Sequence, residues 1–290
     1  MSAQDRYIPG VPCWIDTTHP DAEAAVAFYG GLFGWEFEQV MPEDSPVKYY
    51  MARLPGGDVG AIGSRPEGGP ETARWNTYVW VEDAEDAAAK VRAAGGAVVM
   101  EPGDVGDSGR MAVFTDPAGA AFSVWQPRQH RGAAVVNEHG SLNFNVLNTP
   151  DLAGAAAFYA AVFGWDVLDV GGAPMWALRG YGDFLEQRTP GMRENMAAMG
   201  APERFEDVVA AVNVTPDVPA HWDLTFAVDD ADAIAARAAE LGGEVVVPPI
   251  DGPWVRMTVI RDPQGATFTA SKFVPENRDL PRGAGAATSG

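Results

Sequence analysis

The sequence predicts an α+β fold of four βαβββ modules, and three observations carry this reading. AFYGGLFGW at residues 27–35 returns as AFYAAVFGW at 157–165, 130 positions on. Asp116-Pro117-Ala118-Gly119 returns as Asp262-Pro263-Gln264-Gly265, 146 positions on. Between these marks the chain passes four times from a strand-like run to a helix-like run and then to several short strands.

The first module opens with VPCWIDT, and a helix starting at His19-Pro20-Asp21 runs to Gly34, with His19 read as a capping residue. A later strand reads VGAIGS. The second module has YVWV, a helix over 84–94 ended by Gly-Gly, then AVVM, RMAVFT and AAFSVW. In the third, SLNFNVLNT leads into TPDLAGAAAFYAAVFGW. There Thr149 is the expected cap, Pro150 the first helical residue, Asp151 the charge at the positive end and Gly164 the stop. The fourth has LTFAV, a helix over 231–241 ended by Gly-Gly, then EVVV, VRMTVI and ATFTAS. The Asp-Pro-x-Gly stretches read as tight turns before the last strand. Phe28, Tyr29, Phe33 and Trp35 read as core.

The second half is longer by about 16 residues, all between Trp165 and Trp222. Within this insertion (about 181–214) DFLEQR is read as the counterpart of VGAIGS. Met192, Met196, Met199 and Phe205 suit an amphipathic lid or interface packing, the latter favoured.

The 290 residues suit two domains, and 47% hydrophobic content can build a core. A net charge of −20 argues against nucleic acid and anionic membranes. No apolar run approaches the roughly 20 residues of a membrane span. The start shows no secretion signal, and the single cysteine, Cys13, suits a reducing cytoplasm. PENRDLPRGAGAATSG, over 275–290, has the composition of a mobile tail.

The module order, the AFYxxxFGW helix end and the DPxGA turn resemble the vicinal oxygen chelate superfamily, which includes glyoxalase I, extradiol dioxygenases and bleomycin-resistance proteins. The nearest likeness is to two-domain actinobacterial members called glyoxalase-like or hydroxylases. The resemblance implies two glyoxalase-like cup domains, at 8–128 and 139–275, joined by a linker at 129–138 and followed by a tail at 276–290. Related domains often pair as dimers, but here the two internal domains can satisfy each other, so the expectation is a monomer or homodimer.

It also implies where divalent-metal ligands belong. Those positions hold Trp14, Asn76 and Ser123 in the first cup, and Phe144, Asp223 and Thr269 in the second. His and Glu are missing from them, and Glu186 or Gln187 could add little. The expectation is therefore no metal and no other cofactor. None of His19, His130, His139 and His221 falls on the ligand register.

Strand alternation puts Trp14 and Asp16 on one face, with Asn76, Tyr78, Trp80, Ser123 and Trp125 on neighbouring strands. Arg110 opens the strand before the turn and is a candidate partner for Asp16, whose burial unpaired would be costly. In the second cup the matching face holds Phe144 and Val146, with Asp223, Thr225, Arg256 and Thr269. That register leaves Asn143 and Asn145 toward the helix, which the sequence does not resolve. Such rings and polar groups suit a small aromatic metabolite or antibiotic that is sequestered or carried. The alternative is a metal-independent lyase, cyclase or isomerase, with Asp16 as general base at a raised pKa and Arg110 stabilising an anion. A metal-dependent glyoxalase or dioxygenase ranks third.

Overall fold

The computed structural model describes residues 6–65, 68–69 and 71–281. Of the tail expected to be mobile, residues 282–290 lie outside the described residues.

The first module contains β1 (Pro12–His19), α1 (Ala22–Phe33), β2 (Glu36–Gln39), β3 (Tyr49–Leu54) and β4 (Gly57–Ser64). The second contains β5 (Arg74–Trp80), α2 (Ala84–Ala93), β6 (Ala97–Val105), β7 (Gly109–Thr115) and β8 (Ala121–Pro127). The third contains β9 (Ser141–Thr149), α3 (Leu152–Phe163), β10 (Trp165–Val170) and β11 (Ala173–Leu178). It continues with α4 (Tyr181–Arg188), α5 (Met192–Ala198), a 3-10 turn (Phe205–Asp207) and β12 (Val208–Val214). The fourth contains β13 (His221–Ala227), α6 (Ala231–Glu240), β14 (Glu244–Gly252), β15 (Val255–Arg261) and β16 (Thr267–Phe273). This is the expected α+β repeat, in two eight-stranded mixed sheets ordered β2-β3-β4-β1-β5-β8-β7-β6 and β10-β11-β12-β9-β13-β16-β15-β14.

The chain falls into two compact units. The first comprises Met1–Cys13, Tyr78–Gly132 and Phe144–Trp222; the second comprises Trp14–Thr77, Ala133–Asn143 and Asp223–Gly290.

Both units explain why the AFYxxxFGW stretch is written twice. In the second unit the Tyr29 hydroxyl donates to Asp262 Oδ2 at 2.8 Å, and in the first the Tyr159 hydroxyl donates to Asp116 Oδ2 at 3.1 Å. Each aspartate also accepts two backbone N–H groups of its own Asp-Pro-x-Gly turn, so tyrosine and turn fix one another. The tryptophans act alike. Trp35 Nε1 donates to the Gly140 carbonyl, and Trp165 Nε1 to the Gly10 carbonyl, both at 2.7 Å. Around Tyr29 pack Phe28, Phe33, Trp35 and Trp75 with Phe226 and Phe268, all buried, as expected for core. Burying each such side chain is worth about 1.5–3 kcal/mol, before conformational entropy is subtracted.

The helix starts correct two expectations. The cap of α1 is Asp21, whose carboxylate accepts from the Ala24 N–H, and not His19. The cap of α3 is Asp151 rather than Thr149, which leaves Pro150 outside the helix. Aspartate reaches the free N–H groups of the first turn and also meets the positive end of the helix. Both helices stop at a left-handed glycine, Gly34 and Gly164, with φ of 71° and 75°.

The insertion also differs from expectation. DFLEQR lies in α4, and the true partner of β9 is β12, with Val146 opposite Ala211 as Asp16 is opposite Ala61. Glu186 accepts from the Gly191 and Arg193 N–H groups at the start of α5, and these donors hold its carboxyl below the usual range. It closes a helix turn and faces no ligand position.

Burial pushes Tyr7, Tyr29, Tyr49 and Tyr159 far up, and for Tyr29, Tyr49 and Tyr159 a neighbouring aspartate adds to the shift. A phenol whose folded pKa is raised supports folding below its unfolded value of about 10 and withdraws that support as pH rises further. Ultraviolet titration should find these four tyrosines un-ionised in the folded chain at about pH 11. Their ionisation should coincide with unfolding.

Candidate functional site

The chemistry of the second unit gathers on one sheet face. Trp14 and Asp16 project from β1, Tyr49 and Met51 from β3, and Asn76 from β5. Trp14 is 3% exposed and Asp16 6%. A buried carboxylate needs donors. The Tyr49 hydroxyl donates to Asp16 Oδ2 at 2.9 Å, and Asn76 Nδ2 donates to Oδ1 at 2.8 Å. Trp14 Nε1 in turn donates to the Tyr49 hydroxyl at 3.3 Å. Burial first, and then the Asp16 charge, raise Tyr49 well above an ordinary phenol, so it stays a neutral donor.

Tyr49 reaches Asp16 because the strand between them is bare. The order is β3-β4-β1, so the ring must cross β4, and two strand spacings amount to about 9.6 Å. Gly63 lies opposite Tyr49, and Ala61 lies opposite both Asp16 and Met51. A Cβ on Gly63 would come within 3.3 Å of the Tyr49 ring. No motif marks Tyr49 in sequence. The signal available was the pair of small residues in VGAIGS between two polar strands.

Arg110 stands elsewhere. It is opposite Gln126, one residue out of phase with the Met111–Trp125 and Val113–Ser123 pairs, so it projects from the other face of its sheet. There Glu85 of α2 meets its Nη2 at 3.0 Å, and Asp104 lies 3.2 Å from its Nε. Arg256 repeats this arrangement. It is out of phase with Thr269, and Nη2 donates to Asp232 of α6 at 2.8 Å, which holds that carboxyl low. Both arginines tie a strand to a helix, in contrast with the lining roles expected of them.

In the first unit Tyr78 faces Ser123, and Trp80 faces Trp125, in parallel register. All four are buried. Trp125 Nε1 donates to the His130 carbonyl at 2.9 Å, and Tyr7 packs on Trp80 with ring centroids 5.9 Å apart.

The third module does not repeat the Asp16 cluster. Val146 occupies the place of Asp16, Asn213 that of Gly63 and Asn148 that of Thr18. Asn213 Nδ2 donates to Asn148 Oδ1 at 3.1 Å, Asn148 Nδ2 lies 3.3 Å from His221 Nε2, and His221 Nδ1 is 2.8 Å from the Pro219 carbonyl. This chain went unread in sequence because its members lie 65 and 73 positions apart. Of the residues left toward the helix by that register, Asn143 donates to Asn137, and Asn145 is buried. Phe144 is half-buried on β9. In the second unit Thr225 pairs with Thr269, with Asp223 on the same side of β13.

His19 is neither cap nor ligand. It is fully buried, with Nε2 2.7 Å from Asp262 Oδ2. Burial alone would raise the Asp262 carboxyl, but the hydrogen bond and charge of His19 hold it below the usual range. Asp116, which has no histidine, is instead raised by burial, only partly offset by its backbone and Tyr159 donors.

Among the described residues, no three His, Cys, Asp or Glu side chains come together as a metal site. The positions implied for metal ligands do not fit a divalent cation. In the second unit they hold an indole, an amide whose N–H is spent on Asp16, a threonine and one carboxylate, Asp223. In the first they hold a buried Ser123 and the half-buried Phe144. No described helix is long and apolar enough to cross a membrane.

The glyoxalase/bleomycin resistance protein/dioxygenase superfamily profile matches residues 14–124 and 141–269. The "Putative glyoxylase CFP32" of Mycobacterium tuberculosis is 40% identical, over 95% of this chain and 100% of its own. The anthracycline biosynthesis proteins DauV of Streptomyces sp. and DnrV of Streptomyces peucetius are 34% and 35% identical. They cover 91% and 98% of this chain, and 94% and 99% of their own. Among solved structures, the Mn(II)-bound glyoxalase of Novosphingobium aromaticivorans superposes with a TM-score of 0.59 at 16% identity, over 91% of this chain and 82% of its own. The 2,3-dioxygenase LapB of Pseudomonas sp. KL28 gives 0.59 at 15%, over 92% and 93%. At such identities these two speak for fold alone. With its profile matched in both halves and relatives at 34–40% identity along nearly its whole length, the chain belongs to the glyoxalase/bleomycin resistance protein/dioxygenase superfamily.

Proposed function

We propose that the chain binds a small planar aromatic molecule without a metal ion, at the Asp16 cluster of its second unit. The observation that carries this is a buried carboxylate satisfied by a phenol: Tyr49 O–H on Asp16 Oδ2, at 2.9 Å. A phenolic ligand offers the same donor and the same ring. Tyr49 thus keeps the ligand's place, swinging off Gly63 when a ligand hydroxyl takes its bond to Asp16, while Trp14 supplies a ring to stack against. The residues at the implied metal positions support a metal-free reading. The likeness to DauV and DnrV supports a flat polycyclic ligand.

Calorimetric titration of 1,8-dihydroxyanthraquinone into the wild-type chain and Tyr49→Phe tests the exchange. Loss of the competing hydroxyl should tighten binding about tenfold, the worth of one hydrogen bond to a charged group. Weaker binding in Tyr49→Phe would show that Tyr49 holds the ligand rather than yields to it.

The second reading is a metal-independent lyase, cyclase or isomerase. It draws on the same pair, because Asp16 can take a ligand proton where it now accepts the Tyr49 hydroxyl, and can return it afterwards. Recovery of the compound unchanged after prolonged incubation would set this reading aside.

A further inference from the structure

The strand that brings Asn76 to Asp16 also carries a cation. Along β5, Trp75 turns into the core, with its ring centroid 5.3 Å from that of Tyr29, while Asn76 turns to Asp16. Strand alternation therefore puts Arg74 on the Asn76 side, two residues or about 7 Å further along. The Arg74 carbonyl accepts from the Thr17 hydroxyl at 2.8 Å, which ties the strand down beneath an exposed side chain. Among the described residues, none makes a hydrogen bond or ion pair with its guanidinium. That is unusual in a chain with 40 Asp and Glu against 20 Lys and Arg. Arg53, Arg110, Arg193, Arg204 and Arg256 each hold a carboxylate.

The ground between Asp16 and Arg74 is made of small residues. Thr18 follows Asp16 on the same face of β1 and is half-buried, and Gly63 stands opposite it on β4. The Tyr49 ring and the Thr18 methyl close over Gly63, 3.3 and 3.5 Å from where a Cβ would stand. The second half fills these places differently. Asn213 stands for Gly63, Asn148 for Thr18, and His221 precedes Trp222 as Arg74 precedes Trp75. There the three side chains are joined in a chain. In the first half glycine and threonine remove the links, and the arginine is left at the end of an open shelf.

We propose that Arg74 is a specificity-determining residue of this site, whose ligands are aromatic phenols with a carboxylate at the far end. This rests on the reading above, in which a ligand hydroxyl takes the Tyr49 bond to Asp16. With Tyr49 swung away, the ligand ring lies along Gly63 and Thr18 and brings its carboxylate to Arg74. Paired guanidinium donors match the two carboxylate oxygens. Asp16 repels a carboxylate at the inner end, so the ligand enters hydroxyl first.

The test is calorimetric titration of the full chain at pH 7 with 6-hydroxy-2-naphthoate and with its neutral carboxamide. Wild type should bind the acid about fivefold more tightly than the amide, the upper reach of an exposed ion pair. In Arg74→Gln the two should bind alike. Arg74 is exposed, so this change does not threaten the fold. Equal affinities in wild type, or the full preference kept in Arg74→Gln, would overturn the proposal. The amide alone reports on the reading beneath it, and its binding should weaken about tenfold in Asp16→Asn. Acid and amide that bind wild type alike, and both weaken in Asp16→Asn, would sink this inference and leave that reading standing. An amide that binds Asp16→Asn as well as wild type, or no binding of either compound, would remove both.

Discussion

Replacing His19 with threonine is expected to cost the folded state about 3 kcal/mol at neutral pH, the usual loss when one partner of a buried pair is removed. Threonine is the fair substitute, because Thr149 ends β9 where His19 ends β1. Asp262, 4% exposed, would be left in the variant with only its turn N–H groups and Tyr29 as donors. That is the situation of Asp116, whose carboxyl burial raises. The two proteins should then respond to acid in opposite ways. In the wild type the depressed Asp262 contributes stability that is complete above the unfolded value of about 3.9 and is lost as pH falls through its lower folded value. In His19→Thr a raised Asp262 costs stability at neutral pH, and the cost is relieved as pH falls through that raised value. Urea unfolding at pH 7 and about pH 4.5 should therefore show a gap that narrows in acid. A gap that is equal at both would mean that His19 acts by packing alone. Asp262→Asn combined with His19→Thr should lose less than the sum of the single changes.

Asp16→Asn should weaken binding of 1,8-dihydroxyanthraquinone by tenfold or more while leaving the chain folded, because it removes the charge and keeps the shape. The amide introduced by this change offers one acceptor oxygen where the carboxylate offers two, to the Tyr49 hydroxyl and to Asn76 Nδ2. One of these donors loses its acceptor, which should cost about 1–2 kcal/mol in urea unfolding. A second readout is independent of any ligand. Burial is the main reason that Tyr49 is raised, and the Asp16 charge adds to it. In Asp16→Asn one tyrosine should therefore ionise at lower pH than in the wild type. If the tyrosine titration does not move, the Tyr49–Asp16 bond is not what governs that phenol.

What the sequence made legible was whatever is repeated. AFYxxxFGW and Asp-Pro-x-Gly mark the same tyrosine–aspartate lock in each unit, so the module count, the helix ends and the core aromatics followed from the letters. Asp16 and Asn76 were legible by strand alternation, since both lie on plain strands. Tyr49 was not, because its link to Asp16 depends on a bare Gly63 that becomes visible only in strand register. Arg110 and Arg256 were misplaced for a related reason. Alternation gives two faces but not which is which, and here Glu85 and Asp232 on the helices decided it. Spacing cannot place DFLEQR, which lies in α4, because spacing does not survive an insertion. One pairing fixes the face of β9: Val146 opposite Ala211 puts a valine where the first module has its carboxylate.

The central claim is that a flat phenolic ligand binds here without a metal ion. Calorimetric titration of 1,8-dihydroxyanthraquinone into the full chain, once in excess EDTA and once with Mn(II) added, tests it most directly. The account predicts saturation at one molecule per chain with the same affinity in both solutions. Binding that appears only with Mn(II), or no binding in either, would contradict it.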